Sequence, residues 1–289
     1  GVWAPAIRWH DGFFYIYYGM PDEGIYMVRA ADACGQWDAP KLVRAGKGLI
    51  DPCPFWDDDG RAYVIHAYAN SRIGFKSRIG IFPMSADGTH AIGEDKFLFD
   101  GTANHPTIEG PKVYKRDGWY YIFAPAGGVA TGWQTVLRSR RIDGEYEDRI
   151  VLRQGNSRVN GPHQGAWVTA ADGSDWFIHF QSRGLYGRVT HLQPMAWQAD
   201  GRPIIGEPVA GETYGTPGET WRKPSQTHQP PLSLQCSDDF ADSLGLQWQF
   251  MGNWRADFYA VDGGLTLAAL PAPSIMAESP MPSVSQETI

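Results

Sequence analysis

Cysteine is scarce in this chain, with 3 among 289 residues. Cys34, Cys53 and Cys236 are odd in number and widely separated, so the sequence indicates neither a disulfide framework nor a cysteine-based metal site. No run of about 18 apolar residues occurs, and no charged segment precedes an apolar one near the first residue. We therefore expect no membrane span and no signal peptide within these residues.

Positive charge is also limited, since Lys and Arg number 25 against 32 Asp and Glu, for a formal net charge of −7. The basic residues are scattered along the chain, whereas binding to nucleic-acid phosphates requires a basic patch. We expect no nucleic-acid partner, and neutral ligands fit the composition better.

Long amphipathic helical patterns are missing as well. Short runs with alternating or turn-bounded hydrophobicity dominate instead, and 13% of the residues are aromatic. With 43% hydrophobic residues, the chain is long enough to bury a large core. The sequence therefore predicts an all-β protein.

The chain contains a repeated pattern, an Asp-Gly turn that leads into an aromatic strand. The copies begin at Asp11-Gly12, Asp59-Gly60, Asp117-Gly118 and, with a looser match, Asp172-Gly173. A repeat of about 50 residues made of short strands and tight turns is typical of a β-propeller, in which every blade places its innermost strand at a shared axis. Equivalent positions of successive blades are therefore expected to converge.

The residues eight positions before each turn Asp are candidates for that axis: Trp3, Asp51, Glu109 and Gln164, the last beside His163. Two repeats thus place a carboxylate at the corresponding position. We expect Asp51 and Glu109 to face one another across a pocket.

Each carboxylate also has a plainer interpretation. Asp51 lies in an apolar run before Pro52 and has the chemistry to cap that turn with its own side chain. Glu109 would otherwise be an ordinary surface residue, although the Gly-Pro pair that follows it lets a ligand or a backbone approach closely. The cluster Asp57–Asp59 is interpreted as a solvated hairpin turn rather than a catalytic group, because Asp-Gly is what a type I′ turn requires.

Three further residues have competing explanations. His163 either contacts a ligand or is a hydrogen-bonded core residue. Arg188 either pairs with an axial carboxylate or a sugar hydroxyl, or is an exposed cross-strand charge. Trp3 either offers a stacking face to a sugar ring or packs between blades. The strand histidines interpreted as structural are His66, His179 and His191.

The repeats end near residue 207, and the sequence predicts three parts. Residues 1–207 form a β-propeller, residues 208–235 are an irregular linker rich in Gly and Pro, and residues 236–289 are the start of a β-sandwich domain. In the last part Leu246–Phe250 alternates as a strand does, and Gly263–Gly264 is a turn into Leu265–Leu267. Fewer residues remain there than the roughly 100 that a complete sandwich needs.

Several motifs occur in an order that resembles glycoside hydrolase family 43, the five-bladed propeller β-xylosidases and α-L-arabinofuranosidases. These motifs are Trp3-Ala4-Pro5, Ile50-Asp51-Pro52, Ile108-Glu109-Gly110-Pro111-Lys112 and Gly161-Pro162-His163-Gln164-Gly165. The last is similar to the branch of the family that carries a C-terminal β-sandwich. The resemblance implies a five-bladed β-propeller with four blades in these residues, an oligosaccharide substrate derived from xylan or arabinan, and an extracellular or periplasmic location.

In that family three carboxylates act together, and the resemblance maps two of them here. Glu109 matches the general acid, and Asp51 matches the residue that modulates the pKa of the acid and orients it. The third, the general base, belongs in the family to the first blade, upstream of the strand that begins at Trp3. We expect that blade and the base to lie outside residues 1–289. An inverting hydrolase needs its base about 6.5–9.5 Å from the acid, so we expect this chain alone to be a poor catalyst.

The resemblance implies further contacts. Arg188 matches a contact to the sugar in the cleavage subsite, and Trp3 and Phe55 are additional substrate-binding candidates. His163 is similar to an axial histidine that often lies near a bound calcium. A structural calcium is therefore expected as a ligand, while the chemistry itself requires no cofactor.

Two other functions are compatible with a propeller of this kind. A propeller also serves as a non-catalytic module that binds a carbohydrate or a protein, with Glu109 as a hydrogen-bonding residue. Fructan-processing propeller enzymes typically carry an Arg before the Asp-Pro pair and a Cys after the Glu. Neither feature is present, since Ile50 precedes Asp51 and Gly110 follows Glu109.

Overall fold

Strands account for nearly all the regular structure of the chain. The computed structural model describes residues 1–224, 237–245, 248–250, 255–269 and 284–285. Within these ranges α1 (Asn70–Ile73) is a single helical turn, and no helix there is long and apolar enough to cross a membrane. The predicted all-β class is confirmed.

Four consecutive antiparallel sheets form blades in a propeller arrangement, as the repeat predicts. In each blade, strands that follow one another in the chain are neighbours in the sheet, in the sets β1–β4, β5–β8, β9–β12 and β13–β16. The first two blades are β1 (Trp3–His10), β2 (Phe13–Met20), β3 (Gly24–Ala30), β4 (Lys41–Ala45), β5 (Leu49–Trp56), β6 (Ala62–Tyr68), β7 (Arg78–Met84) and β8 (Lys96–Asp100). The next two are β9 (Lys112–Arg116), β10 (Trp119–Ala126), β11 (Trp133–Ser139), β12 (Glu147–Arg153), β13 (His163–Thr169), β14 (Asp175–Ser182), β15 (Arg188–Trp197) and β16 (Pro203–Ile205).

The Asp-Gly turns connect the first two strands of each blade. In Asp11-Gly12 the φ angles are 44° and 81°, and in Asp117-Gly118 they are 51° and 71°. A type I′ turn needs positive φ at both central residues, which Asp and Gly tolerate better than most residues. In the second and fourth blades the connection is longer, and the turn glycines Gly60 and Gly173 have positive φ whereas the Asp before each does not.

The second strands of the two middle blades, β6 and β10, are almost continuous apolar runs. Every residue of β6 is buried, and in β10 every residue except Trp119 is buried. Sheets covered on both faces lose the alternation of apolar and polar residues. One cluster of buried side chains accordingly joins Ile65 of the second blade to Ile122 and Leu137 of the third.

A bulge recurs at the start of the innermost strands and shapes the axis. The pairing register shifts just before Ala6, Cys53 and Ala166. One residue of every blade has a left-handed backbone at this point: Ala4, Asp51, Gly110 and Gln164, with φ of 27°, 53°, 58° and 48°. Successive side chains of a regular strand point to opposite faces, so a bulge allows two adjacent residues to project toward the axis.

The bulges change the alignment of the repeats by one residue. The Glu109 N–H donates to the Pro125 carbonyl oxygen at 3.1 Å. In the third blade Glu109 therefore occupies the pairing position that Ile50 has in the second blade and His163 in the fourth. Asp51 instead holds the left-handed position that follows. The expectation that two repeats place a carboxylate at the same position is therefore wrong by one residue, because the turns of the blades differ in length.

The segment after the fourth blade is partly built into the propeller. β17 (Glu207–Pro208) and β18 (Gly215–Thr216) pair with each other, and β18 pairs in parallel with β12. The compact unit runs from Val2 to Gln226. The predicted linker 208–235 thus begins inside this unit, and its residues 225–235 lie outside the described ranges.

A second compact unit comprises Thr227–Ile289 together with Gly1. Its described strands are β19 (Gln249–Phe250), β20 (Tyr259–Val261), β21 (Leu265–Leu267) and β22 (Val284–Ser285), paired as β19 with β22 and β20 with β21. The predicted turn at Gly263–Gly264 is confirmed by the β20–β21 pairing. Leu246 and Gln247 of the predicted strand lie outside the described residues, and the β-sandwich stays a prediction.

His179 makes the stability of the fourth blade depend on pH. Its side chain is 1% exposed and its ring lies 5.5 Å from that of His191. Burial lowers the pKa of His179 from 6.5 to about 4. Because the unfolded chain takes up this proton at a higher pH than the folded chain, the stability is complete above the unfolded pKa and decreases as the pH falls toward the folded one.

We expect acidification from about pH 7 to about pH 4 to lower the free energy of unfolding, with about 3 kcal/mol of the loss due to His179. His179→Gln removes the titrating group and should reduce the pH dependence by that amount in urea denaturation curves. The exposed His90 provides the matched control, His90→Gln, which should behave as the wild type does. An equal pH dependence in the wild type and His179→Gln would contradict the prediction.

Candidate active site

A pocket of about 380 Å³ opens at one end of the propeller axis. Residues of the inner strand of every blade, or next to it, contribute to its wall. The structure brings five predicted site residues together there: Trp3, Asp51, Glu109, His163 and Arg188. The other lining residues are Val2, Ala4, Ile50, Val129 and Gln164.

Asp51 connects three blades through one carboxylate oxygen. Its Oδ2 accepts a hydrogen bond from the Gly110 N–H at 2.8 Å and another from Gln164 Nε2 at 3.1 Å. The residue is 3% exposed. Asp51 therefore accepts its hydrogen bonds from other blades rather than from the turn before Pro52, which was the plainer interpretation.

The surroundings of Asp51 shift its pKa in opposite directions. Burial raises the pKa of Asp51, and the negative charge of Glu109 raises it further, while Lys112 and the two hydrogen-bond donors act in the other direction. The Lys112 Nζ donates to the carbonyl oxygens of Gly110 at 3.5 Å and Pro111 at 3.4 Å, and burial lowers the pKa of this lysine. Asp51 and Glu109 thus lie within electrostatic reach of each other.

Glu109 is held through one of its two carboxylate oxygens. His163 Nε2 lies 2.7 Å from Oε1, whereas Oε2 has no hydrogen-bond partner in the described part of the chain. The side chain is 27% exposed at the pocket wall. A buried imidazole therefore orients this carboxyl group and leaves one oxygen available to a ligand, which an ordinary surface glutamate would not show.

The tautomer of His163 follows from its surroundings. The residue is 1% exposed, and its Nδ1 has no hydrogen-bond partner in the described structure. A buried N–H without an acceptor is costly, so the proton is assigned to Nε2, which donates to Glu109 Oε1. With Oε1 engaged as an acceptor, a proton on Glu109 resides on Oε2, the oxygen toward the pocket.

Trp3 and Arg188 provide the rim of the pocket. Trp3 is 38% exposed, and the guanidinium of Arg72 lies 5.5 Å from the centre of its ring. Arg188 stacks on Phe180 at 4.8 Å. An aromatic face and a guanidinium at a pocket mouth are suited to a sugar ring and its hydroxyl groups.

Phe55 is the predicted site residue that does not line this pocket. It lies four residues beyond Asp51 on β5, roughly 13 Å away at the rise of an extended strand. There it lines a second pocket of about 420 Å³ and packs against Tyr120, with ring centroids 6.0 Å apart. The prediction that Phe55 contacts the same ligand as Trp3 is therefore not supported by its position.

Asp57 is buried, whereas the sequence predicts a solvated turn residue at this position. It is 7% exposed, and its carboxylate accepts hydrogen bonds from Lys115 Nζ and Tyr120 Oη, each at 2.5 Å. The longer turn of the second blade folds Asp57 inward against the third blade. Its neighbour Asp58 has a side chain that is 85% exposed, as a solvated turn predicts.

The described residues near His163 offer few donor atoms suited to a calcium ion. Calcium takes 6–8 oxygen ligands, whereas His163 offers nitrogen, and its Nε2 is already engaged by Glu109. Within the described residues no three or more His, Cys, Asp and Glu side chains are grouped to hold a metal ion. This donor set does not fit calcium, and no step below depends on it.

Two residues of this site were not among the predicted ones. Gln164 stands at the axis position of the fourth repeat, which was a usable signal. Lys112 lies within the motif that contains Glu109, but nothing in its sequence context distinguishes a buried lysine from an exposed one. Only packing of the blades places its ammonium group near Asp51.

The sequence and the fold were compared with known proteins. The family model for glycosyl hydrolases family 43 matches residues 1–203. The "Putative beta-xylosidase" of Xylanibacter ruminicola is 48% identical over 278 residues, which cover 95% of this chain and 52% of that protein. The "Non-reducing end alpha-L-arabinofuranosidase BoGH43B" of Bacteroides ovatus is 31% identical over 283 residues, covering 90% of this chain and 50% of that protein. The chain thus spans about half the length of the curated relatives it matches.

A solved structure shows the same fold. The xylan beta-1,4-xylosidase from Bacillus halodurans C-125 superposes with a TM-score of 0.84 at 25% sequence identity. The match covers 100% of this chain and 59% of that one.

Proposed function

The chain belongs to glycosyl hydrolases family 43, and on that premise we propose that its pocket removes a terminal pentose from oligosaccharides derived from xylan or arabinan. Relatives named as a β-xylosidase and as an α-L-arabinofuranosidase support xylose or arabinofuranose as the released sugar. The two sugars share the chemistry of an acetal whose exocyclic oxygen must be protonated as it leaves.

The observation that carries the proposal is the setting of Glu109. One oxygen is fixed by a buried histidine, the other has no hydrogen-bond partner among the described residues and lies at the wall of a pocket, and a second carboxylate is within electrostatic reach. A nearby negative charge is one arrangement that favours the protonated form of a carboxyl group, and burial in an apolar site is another.

In the proposed reaction Glu109 donates its proton from Oε2 to the glycosidic oxygen as the bond to the anomeric carbon breaks. His163 holds Oε1 and so keeps the proton directed at the substrate. Asp51 is the neighbouring carboxylate that modulates the proton donor, and its own contacts to Gly110 and Gln164 keep it in place. Trp3 and Arg188 bind the sugar.

The inverting outcome is part of the proposal and concerns the base. Among the residues that line the pocket, Asp51 and Glu109 are the carboxylates. Asp51 is poorly placed to activate water, since it is 3% exposed and its Oδ2 accepts two hydrogen bonds. We therefore assign the base to a carboxylate of the whole protein outside this lining, about 6.5–9.5 Å from Glu109.

The dimensions of the pocket favour cleavage at a chain end. Ligand pockets of about 300–1,000 Å³ enclose small molecules, and a volume of about 380 Å³ suits one sugar with part of its neighbour. The proposal is tested by incubating the whole protein with aryl β-D-xylopyranoside and aryl α-L-arabinofuranoside. NMR of the first sugar released reports its anomeric configuration, and release with retained configuration would contradict the inverting assignment.

Asp51→Asn tests the electrostatic role of this carboxylate. Removing its negative charge should move the alkaline limb of the pH–rate profile toward lower pH, because a carboxylate within electrostatic reach of the proton donor is lost. The measurement is kcat/KM against pH for an oligosaccharide substrate. Asp32→Asn, at an exposed turn, is the matched control. An alkaline limb that stays in place would show that Asp51 acts only as a structural hydrogen-bond acceptor.

A further inference from the structure

We propose that Gln164 is a positioning residue for the proton donor, holding Asp51 and, through Asp51, the peptide group that follows Glu109. This inference rests on the proposed function, since it concerns the proton transfer assigned to Glu109. Gln164 itself contacts neither oxygen of Glu109, so its action is indirect.

The contact between Gln164 and Asp51 is one of two that meet at the same atom. Asp51 Oδ2 accepts from Gln164 Nε2 at 3.1 Å and from the Gly110 N–H at 2.8 Å. Because Gly110 directly follows Glu109, the Asp51 carboxylate fixes the orientation of the peptide group between them. A single oxygen therefore ties the fourth blade to the loop that carries the acid.

The amide of Gln164 also packs directly on that loop. A Cβ added at Gly110 would lie 2.5 Å from Gln164 Oε1, so a side chain there would displace the Gln164 amide. Gly110 has a φ of 58°, a left-handed conformation that glycine adopts without strain. Gln164 thus contacts the backbone next to Glu109 and the carboxylate that holds this backbone.

The bulge in β13 makes these contacts possible. His163 and Gln164 are adjacent, yet His163 contacts Glu109 and Gln164 contacts Asp51. Gln164 has a φ of 48°, a conformation that residues other than glycine seldom adopt. Strained backbone of this kind persists where surrounding contacts determine it, and it is concentrated at functional sites.

Loss of the Gln164 contact leaves Asp51 with one hydrogen bond in a buried setting. Asp51 and the Gly110 peptide are then free to shift, and the carboxyl group of Glu109 shifts with them. Catalysis is sensitive to such displacements, since misplacement by about 1 Å costs on the order of 100-fold in rate. The rate should therefore fall for the step in which Glu109 protonates the leaving group.

Two substitutions at Gln164, made in the whole protein, distinguish the effect of its hydrogen bond to Asp51 from the effect of its strained backbone. Gln164→Asn retains an amide and a residue that tolerates positive φ, but its side chain is one methylene too short to reach Asp51. Gln164→Glu retains the length, loses the N–H donor and adds a carboxyl group beside Asp51. Gln198→Asn, at the turn between β15 and β16, is the matched control.

The readout is kcat and KM for two substrates, xylobiose and dinitrophenyl β-D-xylopyranoside, or the corresponding α-L-arabinofuranosides. Both Gln164 variants should lose about 10- to 100-fold in kcat on the disaccharide with little change in KM. Turnover of the dinitrophenyl glycoside should stay close to wild type, because its leaving group departs without a proton. That retained turnover also shows that the variants are folded. Gln198→Asn should match the wild type on both substrates.

Equal losses on both substrates, or unchanged turnover of the disaccharide, would overturn the positioning role. Glu109→Gln measured in parallel separates this inference from the proposed function. If Glu109→Gln shows no preferential loss on the disaccharide, the assigned proton donor is wrong. If it does and the Gln164 variants do not, only the role of Gln164 is wrong.

Discussion

Glu109→Gln is expected to reduce turnover of xylobiose or of an arabino-oligosaccharide by about 10²–10⁴-fold, the usual contribution of a positioned acid. A sugar alkoxide is a poor leaving group unless it is protonated, and Oε2 of Glu109 is the free carboxyl oxygen in the pocket. Aryl glycosides with acidic phenol leaving groups should lose far less. Glutamine has the same shape as glutamate and keeps its contact with His163, so the fold should be retained.

The measurement is kcat/KM for each substrate class in the whole protein, with the thermal unfolding midpoint as the check on folding. Glu94→Gln, on the exposed loop between β7 and β8, is the control and should leave both rates unchanged. Equal losses on oligosaccharides and aryl glycosides would show that Glu109 is not the proton donor.

Residues 1–289 alone are expected to hydrolyse aryl glycosides about 10²–10⁴-fold more slowly than the whole protein, because the described residues that line the pocket supply no carboxylate besides Asp51 and Glu109. Asp51 accepts a hydrogen bond from Gly110 and Glu109 contacts His163, so neither is placed to act as the base. Sugar binding should persist, since Trp3, Arg188 and Glu109 remain in place.

The two chains are to be compared on aryl β-D-xylopyranoside and aryl α-L-arabinofuranoside, with xylose binding measured by calorimetry in parallel. Comparable hydrolysis by both would mean that another carboxylate of this chain supplies the base. Binding without hydrolysis in either chain would favour the alternative of a non-catalytic carbohydrate-binding propeller.

The repeat can be recognised from the sequence because the residues that define it interact over short distances along the chain. An Asp-Gly pair imposes a tight turn wherever it occurs, and an aromatic run beside it forms a strand that stacks on its neighbour. The spacing of these turns predicts a shared axis. The pocket at that axis contains the expected residues Trp3, Asp51, Glu109 and His163. The convergence of residues more than 50 positions apart, such as Asp51 and Glu109, thus follows from four turns.

A residue count along the chain differs from a position along a blade where the turns differ in length. The second and fourth blades have longer turns than the first and third, so counting back from the turn shifted Asp51 by one position relative to Glu109. The same turn buried Asp57 against Lys115, where a solvated residue was predicted. Phe55 was placed in the site by its motif, although an extended strand carries it to another pocket.

The sequence by itself determined the blades, the axis and the identity of the two carboxylates, because turn chemistry and strand periodicity act over a few residues. The tertiary structure decided which oxygen of Glu109 is free, which groups hold Asp51, and that Gln164 and Lys112 belong to the site. These depend on left-handed residues at the bulges and on the approach of one blade to the next. Hydrogen bonds form over about 3 Å, a distance that only the packing of four separate sheets sets.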